Sequence, residues 1–465
     1  MATDVRTERD PLGTLQVPAS ALWGIQTERA RRNFPISGLM PLPGFVDAVV
    51  RIKRAAALTH QALGTLDATR ADAIVQAADE VLAGQHRDQF VVDPYQAGAG
   101  TSHNMNVNEV LANRANELLG TPRGSYAPVH PNDHVNQAQS TNDVIPTAIR
   151  LAVLSALPAF DEAASSLERA LADRGRAFDD VIKAGRTHLQ DAMPIRLGQE
   201  FTAYAGTVTR ARVRLARALD DLRDLGIGGT AVGTGVNAEP GYAVRIVQQL
   251  RDDTGLALRE GADRVQLMQS MGDVAAFHAL LRVFASDVAK IANDLRLMAS
   301  GPRTGFNEIH LPAVQPGSSI MPGKVNPSIV EMVNQVCLQV LGNDATVSAA
   351  SERGELELNV MMPVIAHNVL FSLTIFGNAL GVFADKCVSG ITANREQAAY
   401  WVERSAALAT ALAPVIGYAK AAELAKRSVD EGVLIRDLVM REKVLPPEQL
   451  ARLLDLSRLT RDDDA

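Results

Sequence analysis

The strongest pattern along the chain is a run in which apolar residues return every seven positions. Phe277, Leu281, Phe284, Val288, Ile291, Leu295 and Met298 step alternately by four and by three, the seam of a helix in a left-handed bundle. Phe201, Ala205, Val208, Ala211, Leu215, Leu219 and Leu222 mark one face of a second helix, with Arg210, Arg212, Arg214 and Asp221 lying off it. Ile329, Val333, Val336 and Val340 open a third. Alternating β-branched runs are nearly absent and aromatic residues are only 4% of the chain, so few strands are expected. The pattern predicts a mainly α fold with a long central helical bundle. Several such seams cannot all be covered inside one narrow bundle, which points to a homo-oligomer.

Breaks in the pattern divide the chain into three. Residues 1–139 mix turns and helices, 140–393 hold the long helices, and 394–465 form a small helical domain whose end, from Thr460 to Asp464, is expected to fray. The long helices are joined by glycine-rich connections at 226–235 and 315–324. The stretch Leu358–Ala384 contains no Asp, Glu, Lys or Arg, but Asn359, Pro363, His367, Asn368 and Asn378 interrupt it. Polar groups at that density are costly in hydrocarbon, so a helix buried in a helical assembly is expected rather than a membrane span.

Composition narrows the function. A length of 465 residues suggests about two to four domains. With 47% hydrophobic and 21% charged residues, a substantial core can form and wholesale disorder is excluded. The balance of 46 basic against 53 acidic residues, net −7, lacks the footprint of a nucleic-acid binder. Two cysteines, Cys337 and Cys387, supply neither a disulfide framework nor zinc spacing. The charged start of the chain lacks the apolar core of a signal peptide or anchor, and a cytoplasmic protein is expected.

Candidate chemistry gathers in four segments rich in small hydroxyl, amide and glycine residues. These are 98-GAGTSHNMN-106, 139-QSTND-143, 185-GRTHLQD-191 and 317-GSSIMPGKVNP-327. In the first two a Ser/Thr/Asn group stands where a helix begins. Free backbone N–H groups and the helix dipole favour an anion there, although Thr101, Ser140 or Thr141 could equally be a simple helix cap. In the fourth, glycines around Ser318 and Ser319 suggest a mobile loop, with Lys324 and Asn326 able to hold a carboxylate by charge and amide donors. No GxSxG elbow, HExxH or P-loop lysine is present, which argues against a hydrolase triad, a zinc protease or a nucleotide site.

The loop from Gly317 to Pro327 resembles the signature loop of the aspartase/fumarase superfamily. The other three segments match that superfamily's active-site regions in order, and the likeness runs from Glu8 to Lys426. The resemblance implies a homotetramer whose central helices form a twenty-helix core, with each active site shared by three subunits. It also implies reversible anti elimination from a small succinyl dicarboxylate to give fumarate, with no required cofactor, although activation by a divalent cation stays open. Carried over by motif, Ser318 is the general base. Thr101, Ser140, Thr141 and Ser319 cradle the carboxylate beside the acidic C–H. Lys324, Asn326 and Thr187 anchor the other carboxylate, and Asn142 and His188 lie near the leaving group, with Glu331 supporting His188. His130 and His134 fall in a region that fumarases use for a secondary anion site, and no catalytic role is expected of them.

The branch is read from details. Gly98-Ala99-Gly100-Thr101-Ser102 and Gln139-Ser140-Thr141-Asn142 resemble aspartate ammonia-lyases, as do 33-NFPISG-38, 333-VNQVCLQVLGND-344 and 391-ITANRE-396. By contrast, 22-LWGIQT-27 and 366-AHN-368 look more like class II fumarate hydratases. Aspartate ammonia-lyase is the favoured reading. Fumarate hydratase and a lyase for an N-substituted or modified aspartate are the alternatives, with a catalytically silent structural relative as the remote one.

Overall fold

The computed structural model describes residues 4–460, so the end expected to fray lies, from Arg461 on, outside the described residues. Helix accounts for 62% of the described residues, and the fold is mainly α, as the sequence pattern predicts. The elements used below are β1 (Val5–Asp10), β2 (Gly13–Pro18), α1 (Ile25–Asn33), α2 (Pro43–Leu63), α3 (Ala68–Leu82), α4 (Thr101–Leu118), α5 (Thr141–Ala177), β3 (Ile182–Thr187), β4 (Gln190–Arg196), α6 (Leu197–Ala218), α7 (Tyr242–Thr254), α8 (Arg264–Gln269), α9 (Gly272–Met298), α10 (Ser328–Ser351) and α11 (Met362–Lys386).

Local chemistry explains several of the boundaries. Pro43 opens α2, where a missing N–H costs nothing, and Gly64 closes it in the left-handed region at φ 76°. The Asp67 carboxylate accepts from the Arg70 backbone N–H at 3.1 Å and so starts α3. Strands are few, as expected. Among the described residues they form two-stranded pairs only, the longest being β1–β2 and β3–β4.

The chain makes two compact units. The first comprises residues up to Asp161, Val213–Val283 and Leu338–Phe376; the second comprises Glu162–Arg212, Phe284–Cys337 and Gly377 onward. In the first unit the Arg150 guanidinium is fully buried and holds Asp273 in a two-pronged pair at 2.7 and 3.0 Å. The His278 ring links Asp344 at 2.9 Å to Ser372 Oγ at 2.9 Å, joining α9, α10 and α11. This trio has the connectivity of a hydrolase triad, but His278 and Ser372 are buried, Asn343 donates to Ser372, and Asp344 also pairs with Arg282. It is an internal tie between helices. In the second unit Lys183 and Arg186 of β3 grip the buried Glu308 at 3.2 and 2.9 Å. The tail packs Leu408, Leu412, Leu424, Leu438 and Leu450 into a cluster of its own.

All seven seam positions from Phe277 to Met298 are buried on α9. Two other faces differ from expectation. Leu219 and Leu222 lie beyond the end of α6, so that face stops at Leu215. On α10 the buried row runs through Val330, Val333, Cys337 and Val340, displacing Ile329 and Val336 by one position. A run of four apolar residues leaves the phase of a helix undetermined to about one residue, since neighbours lie only about 100° apart. The uncharged stretch begins its helix at Met362, after a short strand at Leu358–Asn359. Among the described residues two helices are long and apolar enough to cross a membrane: that one and α5, whose apolar window is 78% buried. Burial is what identifies α5 as a core helix.

Candidate active site

In the first unit, two helix starts meet. Gly100 sits ahead of α4 at φ 88°, and a methyl there would press on the Ile145 side chain of α5 at 3.0 Å. A residue without Cβ is therefore required both by conformation and by contact. One turn into α4, the Asn104 amide donates to Thr141 Oγ1 at 3.3 Å and to Asn136 Oδ1 at 3.2 Å. Thr101, Ser140, Thr141 and Asn142 are thus assembled on one small region of the unit.

The start of α5 is closely fixed. The buried Asp143 carboxylate accepts from the backbone N–H groups of Ser140 at 2.9 Å, Gly228 at 3.0 Å and Thr230 at 2.9 Å. Burial pushes its pKa up to about 6 against the pull of these donors. The Asn142 side chain donates to the Ala231 carbonyl at 2.8 Å, which joins the start of α5 to the 226–235 loop. Ser140 Oγ accepts from the Asn142 N–H at 3.2 Å, so Ser140 is a helix cap in this state as well as a candidate ligand.

In the second unit, Thr187 ends β3 and His188 and Leu189 form the two-residue turn into β4, with Thr187 paired to Gln190. Both turn residues are left-handed, at φ 56° and 58°, the conformation of a type I′ hairpin that normally selects Asn or Gly. Non-glycine residues held there cost about 1–3 kcal/mol each, and Leu189 is 64% exposed, so burial does not offset its strain. The turn sets His188 at the exposed tip of the hairpin. Among the described residues neither His188 nor Glu331, in the first turn of α10, has a side-chain hydrogen bond or ion pair within the chain.

The 317–327 loop is held at its neck and open at its tip. Gly317 N–H donates to the Lys324 carbonyl at 2.8 Å, and the Asn326 amide donates to the Gly317 carbonyl at 2.5 Å. Ser318 Oγ accepts two backbone N–H groups, from Ile320 at 3.2 Å and from Met321 at 2.9 Å. Ser319 and Lys324 are exposed, and Ile320 is 83% exposed. A methyl on Gly317 would stand 2.5 Å from the Lys324 oxygen and 2.6 Å from the Asn326 nitrogen. Gly317→Ala is therefore expected to open the neck and lower kcat/KM about tenfold through a misplaced Ser318, with little change in thermal midpoint because the loop is exposed. Kinetics and melting on one preparation check this.

Sequence reasoning missed Asn136 and Lys53 behind the helix starts, and gave no role to Asn104, Gln139 and Asp143 within the segments it singled out. A lysine inside the apolar stripe of α2, between Val49, Val50, Ala56 and Ala57, was the available signal for Lys53. In the 130–134 segment, His130 Nδ1 accepts from the N–H groups of Asn132 and Asp133 at 3.2 Å each, so those two donors are already occupied. Among the described residues no group of three or more His, Cys, Asp or Glu side chains could hold a metal ion.

Comparison with known proteins shows the family. The family described as Lyase matches residues 13–342, and the one described as Fumarase C C-terminus matches residues 408–461. An aspartate ammonia-lyase from Bacillus sp is 47% identical over 99% of this chain and 98% of its own. A class II fumarate hydratase from Halobacterium salinarum is 49% identical over 99% and 98%. Among solved structures, a fumarate lyase:delta crystallin from Brucella melitensis bound to cobalt superposes with a TM-score of 0.95 at 47% identity, covering 99% of this chain and all of that one. The class II fumarase of Schistosoma mansoni gives 0.93 at 36% identity, covering 97% and 98%. The chain is a lyase. More narrowly, it belongs to the aspartase/fumarase superfamily.

Proposed function

We propose that this chain is an aspartate ammonia-lyase, releasing ammonia from L-aspartate to give fumarate, and that it works in the cytoplasm as a homotetramer with active sites shared by three subunits. The reaction takes a proton from a carbon beside a carboxylate, a very weak acid. It therefore needs a strong base, and donors for the charge that spreads onto the carboxylate in the enediolate intermediate.

The observation that carries the reaction is the pair of N–H groups on Ser318 Oγ. A serine hydroxyl is far too weak a base unless its alkoxide is stabilised, and two converging backbone donors supply that stabilisation when a closed loop excludes water. Ser318 then removes the C3 proton. The start of α5, with Ser140 and Thr141, joins Thr101 and Ser319 in receiving the enediolate charge; one well-placed donor of this kind contributes about 2.7–4 kcal/mol. Lys324, Asn326 and Thr187 hold the distal carboxylate. Asn142 and His188 face the amino group as it leaves, with Glu331 supporting His188.

The choice of aspartate rests on Thr141 following Ser140 and on the Gly98–Ser102 segment, which resemble aspartases more than fumarases. Fumarate hydratase is the second reading, favoured by Leu22–Thr27 and Ala366–Asn368 and by a hydratase relative at 49% identity. Fumarate absorbance near the ultraviolet edge separates them, with purified protein given L-aspartate or L-malate, with and without magnesium. Turnover of aspartate and not malate is expected; malate alone would overturn the assignment.

A further inference from the structure

Lys53 lies in the middle of α2 with 0% of its surface exposed. Lysines ordinarily extend their charged end to water, and burying one is costly unless a carboxylate accompanies it. Among the described residues Lys53 has no ion-pair partner. Its nitrogen donates instead to two neutral oxygens, Asn136 Oδ1 at 2.8 Å and Gln139 Oε1 at 3.0 Å. The opposite charge that acts on it is that of Asp143, whose own oxygens are taken by three backbone N–H groups. Burial pushes the Lys53 ammonium down to about 7, and Asp143 only partly opposes this. A buried lysine without a carboxylate partner is costly, so this one calls for a use.

The direction of the hydrogen bonds supplies one. Because Lys53 is a donor, it fixes which end of the Asn136 amide faces it. The Asn136 oxygen points to Lys53, and its nitrogen donates to the Gln139 carbonyl at 3.2 Å, one residue before Ser140. The same Asn136 oxygen accepts from Asn104 at 3.2 Å, which leaves the other amide hydrogen of Asn104 for Thr141 Oγ1 at 3.3 Å. With an oxygen lone pair so engaged, the Thr141 hydroxyl presents its own proton elsewhere.

We propose that Lys53 is a positioning residue for the reaction, acting through Asn136 and Asn104 to turn the Thr141 hydroxyl proton toward the substrate carboxylate. The inference rests on the reading of Ser140 and Thr141 as the carboxylate cradle, and it adds a residue that touches no substrate. If Lys53 and Asn136 lose contact, the Asn136 amide is free to flip, Asn104 loses its acceptor, and Thr141 is released to donate to its own helix surroundings.

The test is a double-mutant cycle on the full-length enzyme, with whichever of L-aspartate and L-malate the wild type converts. Lys53→Met is expected to lower kcat about tenfold or more with a smaller change in KM, while the thermal midpoint changes little, because removing a buried cation without a carboxylate partner offsets the loss of its two hydrogen bonds. Thr141→Val is expected to lower kcat similarly. If one acts through the other, the double variant loses no more than the more damaging single change. Losses that multiply, or wild-type kcat in a folded Lys53→Met, would overturn the proposal. Wild-type kcat in Thr141→Val would instead remove the cradle reading on which it rests. Should Lys53→Met fail to fold, Asn104→Ala cuts the next link and keeps the lysine. The same fall in kcat is expected there, and unchanged kcat would reject the relay.

Discussion

Replacing Ser318 by alanine is expected to lower kcat at least a hundredfold, the range seen when a general base is lost. The change removes one oxygen and little else. Ser318 lies on a loop whose neck is closed by the Gly317–Lys324 and Asn326–Gly317 hydrogen bonds, neither of which involves the serine side chain. The two N–H groups it leaves behind, on Ile320 and Met321, belong to exposed residues and can turn to water. Thermal stability and the association state should therefore be unchanged, and KM should move far less than kcat, because the serine is asked to act on the C–H bond and not to hold the substrate. Steady-state kinetics beside light scattering and a thermal melt decide the matter. A folded variant within about threefold of wild-type turnover removes Ser318 as the base and moves the search to another group near C3.

The sequence announced its helices where periodicity was long and its candidate site where composition was odd. Seven positions over α9 fixed its buried face, whereas four positions on α10 left the phase open, and Val330 and Cys337 took the place of Ile329 and Val336. The 317–327 loop was recognisable from its residues alone. That Ser318 Oγ receives two N–H groups was not, because the direction of a loop amide follows from dihedral angles that several glycines leave free. The strain at His188 and Leu189 was equally hidden, since nothing in Thr187–Gln190 is a typical type I′ sequence and only the pairing of β3 with β4 imposes it. Lys53 shows a different limit. It breaks the apolar stripe of α2 and could have been flagged, but its partners Asn136 and Gln139 lie more than eighty residues away and no local rule joins them.

Lys324→Ala should act on the other side of the division between binding and chemistry. The Lys324 backbone holds the loop, accepting from Gly317 at 2.8 Å and donating to Met321 at 3.3 Å, while its side chain is exposed and has no ion-pair partner among the described residues. The fold makes no use of the ammonium, so its loss should leave stability unaltered. A charge-assisted hydrogen bond to a carboxylate contributes about 1.5–3 kcal/mol, which corresponds to a KM raised about 10- to 100-fold. Because the distal carboxylate does not change charge during proton removal, this binding is shared by ground and transition states, and kcat should fall much less than kcat/KM. Succinate, which offers both carboxylates and no leaving group, gives an independent measure: its inhibition constant should rise by the same factor as KM. Lys324→Arg keeps the charge on a differently shaped head and should recover part of the affinity. If KM and succinate inhibition both stay at wild-type values in Lys324→Ala, the distal carboxylate is held by other groups, and Asn326 and Thr187 become the anchors to test.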